Sequence, residues 1–314
     1  MPHDLRSEKI AILAGGPSCE REISLISGQT VFEALRSKGL DVFLLDPVPG
    51  FVESLKKKHV TMVFIALHGG FGEDGVVQEL LENEGFLYTG SSAQASHLAF
   101  DKPRAQALFK KEGLWVPEFV ELNDPERLEA ARALGFPVVV KPAQAGSSVG
   151  VSILMEPGNL ETACADAFRY SDTVLAERYI HGRELTVGIL GGEALPVVEI
   201  VVRRKFYDYH AKYRDARTEY RSPADLTREQ EARVRAAALR AYELLGCEVM
   251  ARADIILDGS GRPYLLEVNT IPGLTGKSLL PKAAKAAGVD FPDLCVRILT
   301  LSAARERAEK WPKI

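Results

Sequence analysis

Arg252-Ala-Asp254-Ile-Ile-Leu-Asp258-Gly-Ser-Gly-Arg-Pro-Tyr-Leu-Leu-Glu267-Val-Asn269 holds two apolar runs separated by the turn-forming stretch Asp258 to Gly261, and so predicts a β-hairpin. A turn centred near Ser260 sets Asp254 opposite Glu267. Residues two apart on a strand share a face. Arg252 therefore joins Asp254, and Asn269 joins Glu267, while Ile255 and Val268 turn to the other side. One face of the hairpin carries two carboxylates, an amide and a guanidinium. Oxygen donors of this kind suit Mg²⁺, which takes one or two carboxylates together with substrate phosphates. The plain alternative is a wet sheet face holding a surface salt bridge.

Upstream, the polar, tyrosine-rich stretch Arg203 to Asp225 is too long for an idle connection and predicts a lid. The capping box Thr227-Arg-Glu-Gln230 opens a helix that runs to Leu245 and stops at Gly246. Earlier still, Pro137 to Val140 reads as a buried strand ending at Lys141. The loop Gly146-Ser-Ser-Val-Gly150 then leads into a second strand, Val151 to Leu154, which makes it a hairpin tip rather than a strand-to-helix phosphate loop. Its small residues offer backbone N–H groups and hydroxyls, as a flap over phosphates would. A helix is expected from Ala93 to Glu112, and a further helical stretch between Pro117 and Pro137.

From residue 9 to about 95, short apolar runs (Lys9–Leu13, Val42–Leu45, Met62–Leu67) alternate with helix-period segments (Ile23–Lys38, Phe51–Lys58, Val76–Glu84). That alternation argues for a parallel sheet, whose ligands bind at the carboxyl ends of the strands. Glycine-rich segments follow the first and third strands. Gly70-Phe-Gly72-Glu-Asp-Gly75 matches a dinucleotide fingerprint, but Glu73 and Asp74 would put carboxylates where a pyrophosphate must sit. Gly276-Lys277-Ser278 resembles the end of a Walker A motif and fails on spacing, since Ile271 stands where the first glycine belongs.

The 314 residues suit two or three domains. The formal charge of −4, with 46% hydrophobic and 26% charged residues, is ordinary globular composition. It lowers the expectation of a nucleic-acid partner. No run approaches the ~18 apolar residues of a membrane span. Cys19, Cys164, Cys247 and Cys295 show no metal spacing and read as buried thiols of a reducing, cytoplasmic compartment.

Residues 9 to about 300 resemble the D-alanine:D-alanine ligases of the ATP-grasp superfamily. The resemblance rests on motifs that occur in order. The first are Leu13-Ala-Gly-Gly-Pro-Ser-Cys-Glu20-Arg21-Glu22, Leu67-His68-Gly69 with Gly72-Glu-Asp-Gly75, and Phe86-Leu-Tyr-Thr-Gly90. They are followed by Asp101-Lys102, Val140-Lys141-Pro142 with Gly146-Ser-Ser-Val-Gly150, and Glu177-Arg-Tyr-Ile180 with Gly182-Arg-Glu184. The last are Tyr207-Asp-Tyr-His-Ala-Lys212-Tyr213, Arg252-Ala-Asp254, and Glu267-Val-Asn269 running on to Gly273 and Ser278-Leu279.

The resemblance implies a mixed α/β and α+β chain with the three-domain ATP-grasp fold. Its parts would be an N-terminal parallel-sheet domain for substrate (1–95), a small central α+β lid domain (96–182), and a C-terminal domain with the metal site and polar lid loop (183–314). It implies an ATP-dependent ligase that joins two D-alanines through an acyl phosphate, releasing ADP and phosphate, for peptidoglycan precursors. Two Mg²⁺ or Mn²⁺ ions would be held by Asp254, Glu267 and Asn269. Glu20 would hold the first ammonium and be tied to Ser147 and Tyr213. Arg252 and the Gly273 backbone would meet the oxyanion. His68 would sit by the first substrate, with Ser278 and Leu279 taking the second carboxylate.

For the nucleotide, the resemblance assigns Lys102, Lys141, Ser148 and Lys212 to phosphates, Glu177 and Ile180 to adenine, and Glu184 to ribose. A homodimer is implied, with no nucleic-acid or membrane partner. Departures from the family pattern are Ala145, Phe100 and Lys277, which bear on flap orientation and the second substrate. The rival readings are a D-Ala:D-Ser or other ATP-grasp carboxylate:amine ligase, and a nucleotide-binding regulator without turnover. Tyr213 favours an amine as second substrate over D-lactate. A regulator would be expected to have lost a metal ligand or the Glu20, Ser147, Tyr213 set.

Overall fold

The computed structural model describes residues 4–124, 128–146, 149–201 and 219–305. Its first sheet is parallel throughout. The strands β1 (Lys9–Leu13), β2 (Asp41–Leu45), β3 (Met62–Ile65) and β4 (Leu87–Tyr88) lie in the order β2-β1-β3-β4. They are joined by α1 (Arg21–Ser37), α2 (Phe51–Lys57), the single turn α3 (Gly70–Glu73) and α4 (Val76–Asn83). Strand alternation decides what each face buries. Ile10, Ile12, Met62 and Phe64 enter one core, while Ala11, Leu13, Val63 and Ile65 enter another with Phe51, Leu55 and Val77. The strand order reverses between β1 and β3, so their carboxyl ends form the crevice where such sheets bind ligands.

Two helices follow in place of the single one expected over Ala93 to Glu112: α5 (Ala93–Phe100) and α6 (Lys102–Lys111). Asp101 leaves the helical region, with ψ 89°, and its side chain accepts the Arg104 N–H as the cap of α6. Pro103, without an N–H, fits only the first turn of a new helix.

The second sheet is antiparallel, with β5 (Phe119–Leu122), β6 (Val138–Pro142), β7 (Ser152–Leu154) and β8 (Val174–Arg178) in the order β5-β8-β6-β7. β6 and β7 form the expected hairpin, pairing Val138 with Leu154. Of the helical stretch expected after Pro117, α7 (Leu128–Ala133) is the helix among the described residues; Phe119–Leu122 is the edge strand β5. With α8 (Leu160–Ala167), this sheet closes its own core around Leu122, Val138, Leu160 and Val174.

The third sheet contains β9 (Gly182–Leu190), β10 (Glu193–Ala194), β11 (Val198–Val201), β12 (Glu219–Arg221), β13 (Met250–Asp258) and β14 (Pro263–Asn269). The opening hairpin is β13–β14, in the register expected: Arg252 faces Asn269 and Asp254 faces Glu267. Between Asp254 and Ile255 the ladder slips by one, so that Ile255 pairs with Leu265 and Leu266 is skipped. That skipped residue is a β-bulge. The helix α9 (Arg228–Leu244) carries both bonds of the Thr227–Gln230 capping box. Of the expected lid, residues 203–218 lie outside the described ones, and Glu219–Arg221 form strand β12.

The last elements among the described residues are α10 (Leu279–Ala286) and α11 (Phe291–Ala304). Leu280, Leu294 and Ile298 from these helices share one core with Ile10 and Phe64 of the first sheet and Val31 of α1. Three of the cysteines are buried thiols, but Cys19 is exposed, contrary to expectation, because the loop between β1 and α1 runs over the surface. Burial pushes Cys164 up to about 11 and Cys247 and Cys295 up to about 12, as for packed, unreactive thiols. Among the described residues no helix is long and apolar enough to cross a membrane.

Candidate functional site

Two cavities adjoin between the sheets. The first, about 410 Å³, is lined by Glu20 and His68 from the loops after β1 and β3, and by Arg252, Glu267 and Asn269 from the hairpin. Glu20 occupies the N-cap position of α1, yet its side chain makes no capping bond to that helix. It is buried, and the helix N-terminus favours its charge. A methyl group on Gly146 would lie 2.6 Å from Glu20 Oε2, and one on Gly69 would lie 2.7 Å from the same atom. The tip of the β6–β7 loop and the exit of β3 therefore both approach this carboxylate as bare backbone. Gly69 also has φ +68°, a left-handed conformation that a side chain would strain.

His68 is buried. Its Nε2 faces Ser27 Oγ at 2.8 Å and its Nδ1 lies 3.6 Å from Glu73 Oε1. The same Glu73 oxygen accepts the Gly69 N–H at 3.1 Å. A carboxylate thus occupies the amide that a pyrophosphate would need, and the fingerprint-like Gly70 to Gly75 is a turn around Glu73. Across the cavity, Thr275 N–H donates to Ser278 Oγ at 3.0 Å. Ser278 is the N-cap residue of α10 and makes no side-chain cap bond, so its hydroxyl does not occupy the first helical amides, which include that of Leu279. Gly273 adjoins it: a methyl there would lie 2.8 Å from Ser278 Oγ.

The second cavity, about 460 Å³, is lined by Lys141, Glu177, Ile180, Glu184 and Asp254. Lys141 Nζ lies 2.7 Å from Glu177 Oε1, both groups buried. Gln106 Nε2 donates to the same oxygen at 2.5 Å. Arg183 grips Glu199 through two bonds of 2.7 and 2.8 Å, and these raise the Arg183 pKa above its ordinary value. Both cavities fall in the size range of small-molecule sites.

Lys102, Arg252 and Glu267 line both cavities. Lys102 is the first residue of α6, and its ammonium donates to the Ala145 carbonyl at 2.6 Å and lies 3.4 Å from Glu267 Oε2. Arg252 forks onto Asp254 at 2.9 and 2.7 Å, and Thr186 Oγ1 donates to Asp254 Oδ1 at 2.8 Å. Asn269 Oδ1 accepts the Ile271 N–H at 2.8 Å. Among the described residues no three His, Cys, Asp or Glu side chains gather as a metal cluster. A carboxylate has about four acceptor positions and an amide oxygen two. Asp254 and Asn269 therefore keep acceptor capacity beside Glu267, and this set of hard oxygens fits a divalent cation that also binds phosphate.

The structure thus brings together fourteen of the expected site residues in two adjoining cavities: Glu20, His68, Asn269, Gly273 and Ser278 around the first, Lys141, Glu177, Ile180, Glu184 and Asp254 around the second, with Lys102, Arg252, Glu267 and Leu279 lining both. Ser147, Ser148, Lys212 and Tyr213 lie outside the described residues. The sequence reading missed Gln106 and Thr186, polar residues buried in a helix and a strand. It also missed the structural part played by Glu73. Gln106 lies in no quoted motif, and the position of Glu73 within Gly72-Glu-Asp-Gly75 did not disclose its hydrogen bond to Gly69.

The family model described as D-ala D-ala ligase C-terminus matches residues 108–300, and that for the D-ala D-ala ligase N-terminus matches 45–91. The D-alanine–D-alanine ligase of Nitrosospira multiformis is 48% identical over 295 residues, covering 94% of this chain and 96% of that one. D-alanine–D-alanine ligase B of Chromobacterium violaceum is 45% identical over 292 residues, covering 93% and 96%. Among solved structures, the D-alanine–D-alanine ligase of Bacillus anthracis complexed with ATP superposes with a TM-score of 0.83 at 32% identity, covering 95% and 98%. The VanG D-Ala:D-Ser ligase of Enterococcus faecalis superposes at 0.81 and 30%, covering 94% and 99%.

Proposed function

The chain belongs to the D-alanine–D-alanine ligase family and is an ATP-dependent ligase of the ATP-grasp fold that joins two D-alanines; from that premise, we propose that the first cavity takes the two amino acids and the second the nucleotide. The single observation that carries this reading is the shared wall of Lys102, Arg252 and Glu267. A phosphoryl group passing from one ligand to the other crosses there. A carboxylate is a poor electrophile. In the proposed first step an oxygen of the first D-alanine attacks the γ-phosphorus, ADP leaves, and an acyl phosphate forms. In the second, the amine of the other D-alanine attacks the acyl carbon. Phosphate leaves with the former carboxylate oxygen, and the amine gives up a proton.

Glu20 suits the ammonium of the first D-alanine in charge and place, with His68 beside it. Ser278 and the Leu279 amide at the start of α10 suit the second carboxylate. Lys102 and Lys141 are the cations for the phosphates, and Lys212 and Ser148 are assigned there on sequence grounds. Arg252 and the Gly273 N–H suit the oxyanion of the second step. Glu177 and Ile180 suit the base, and Glu184 the ribose. Asp254, Glu267 and Asn269 would hold two Mg²⁺ or Mn²⁺ ions, which when bound supply neutralising charge at the transferring phosphoryl group. Ser147 and Tyr213 complete the proposed link to Glu20, supported by Gly146 lying against that carboxylate. The stretch Arg203 to Asp225, tyrosine-rich in sequence, suits a lid that keeps water from the acyl phosphate.

The division at 1–95, 96–182 and 183–314, a homodimer and a cytoplasmic location belong to the same proposal. The division is supported by the three sheets, and the location by four free thiols. The test is phosphate release from ATP with D-alanine as sole amino acid, the product weighed by mass spectrometry. D-alanine-dependent phosphate and a dipeptide mass are expected; no such phosphate would sink the reading. A mixed product on adding D-serine would widen the second subsite toward the chemistry named for the VanG enzyme.

A further inference from the structure

Gln106 is fully buried on α6, four residues after Lys102 and so on the same helix face. Its amide nitrogen donates to Glu177 Oε1 at 2.5 Å and to the Leu266 carbonyl at 3.1 Å. Its amide oxygen has no hydrogen-bond partner among the described residues. Both neighbours of the nitrogen are acceptors, so the amide can stand only one way round. Turned over, its oxygen would face a carboxylate and a carbonyl. The orientation is therefore fixed by the two donations, and the orphaned oxygen is what it costs.

The two acceptors belong to different parts of the site. Glu177 lines the second cavity and receives Lys141 on the same Oε1 that Gln106 holds. With both donors on Oε1, Oε2 is the oxygen available to a ligand. Leu266 is the residue skipped at the β13–β14 bulge, immediately before Glu267. Lys102 approaches Glu267 from the same helix. One face of α6 thus grips the base-side carboxylate with Gln106 and the hairpin carboxylate with Lys102.

We infer that Gln106 is a positioning residue for the nucleotide base: it fixes the Glu177 carboxylate so that Oε2 accepts an exocyclic amine, and it ties that base edge to the strand carrying Glu267. The inference rests on the assignment of the second cavity to the nucleotide. A base bearing a carbonyl in place of the amine sets acceptor against acceptor and is refused.

The experiment compares the wild-type chain, Gln106→Met and Gln106→Lys, reading the KM for ATP, the KM for D-alanine, kcat and the preference for ATP over inosine triphosphate. Methionine keeps length without a donor; lysine is a donor-only head that can serve both acceptors. Loss of a hydrogen bond to a charged group is worth roughly tenfold or more. Gln106→Met is expected to raise the KM for ATP by about that factor and to erode base preference, with kcat and the KM for D-alanine little changed. Gln106→Lys is expected to restore both nucleotide readouts. An unchanged KM for ATP in Gln106→Met, or a fall in kcat alone, overturns the inference. Should Gln106→Met fail to fold, loss of base preference in Gln106→Lys overturns it equally. If the wild-type chain shows neither saturation by ATP nor preference for it, the assignment of the cavity fails instead.

Discussion

Glu267 stands at the meeting of the two cavities, opposite Asp254 and 3.4 Å from the Lys102 ammonium. Replacing it by glutamine keeps its size and hydrogen-bonding reach and removes only charge. Glu267→Gln is expected to lower kcat by roughly a hundredfold or more, the scale of losing one electrostatic group at a transition state. Its thermal midpoint and circular dichroism should match the parent, because a third of the side chain is exposed and no packing is lost. Activity near the parent's would remove Glu267 from the phosphoryl-transfer site. The same residue measures what a sequence can disclose. Asp254, Glu267, Arg252 and Asn269 were legible because a strand repeats every two residues and a turn between two strands fixes who faces whom. Gln106 was not legible: its acceptors lie 71 and 160 positions away, and a glutamine within a helical run looks like any solvated one.

Helix ends show the limit differently. The capping box at Thr227 was read in place because all its members lie within four residues. The break between α5 and α6 was missed, although Asp101 and Pro103 are both present, because apolar periodicity continues across it. Edge strand β5 was missed because four residues beside Pro117 are too few for a period. The break has a use. By starting a new helix at Lys102, it sets that ammonium at the first turn, against Ala145 and Glu267. Asp101→Ala and Thr227→Ala each remove one N-cap and are each expected to cost about 1 kcal/mol in urea unfolding. Only Asp101→Ala should also raise the KM for ATP, since only that cap steadies a phosphate-side lysine. Equal kinetics in the two variants would show that the break is structural alone.

For the whole molecule, the parallel first sheet and the two hairpins followed from alternation of apolar runs, but the strand orders and the pooling of one core between distant parts of the chain did not. Nothing local in Ile10, Ile12 or Phe64 says that their partners are Leu280, Leu294 and Ile298. Only the folded chain brings residues nearly 300 positions apart together. The middle sheet, by contrast, seals its own core within residues 122–176. A chain cut after residue 275 is therefore expected to keep residues 119–178 resistant to limited proteolysis and to leave residues 4–90 sensitive; protection of both would contradict the shared core. The pooled core also sets a timetable. Domains are made from the N-terminus at about 5–20 residues per second and usually fold as they emerge. Here the first sheet, with Val31, Ala34 and Leu35 of α1 on one face, waits with that core incomplete until α10 and α11 have left the ribosome. The earlier-made sheet thus owes the completion of its core to helices made long after its last strand.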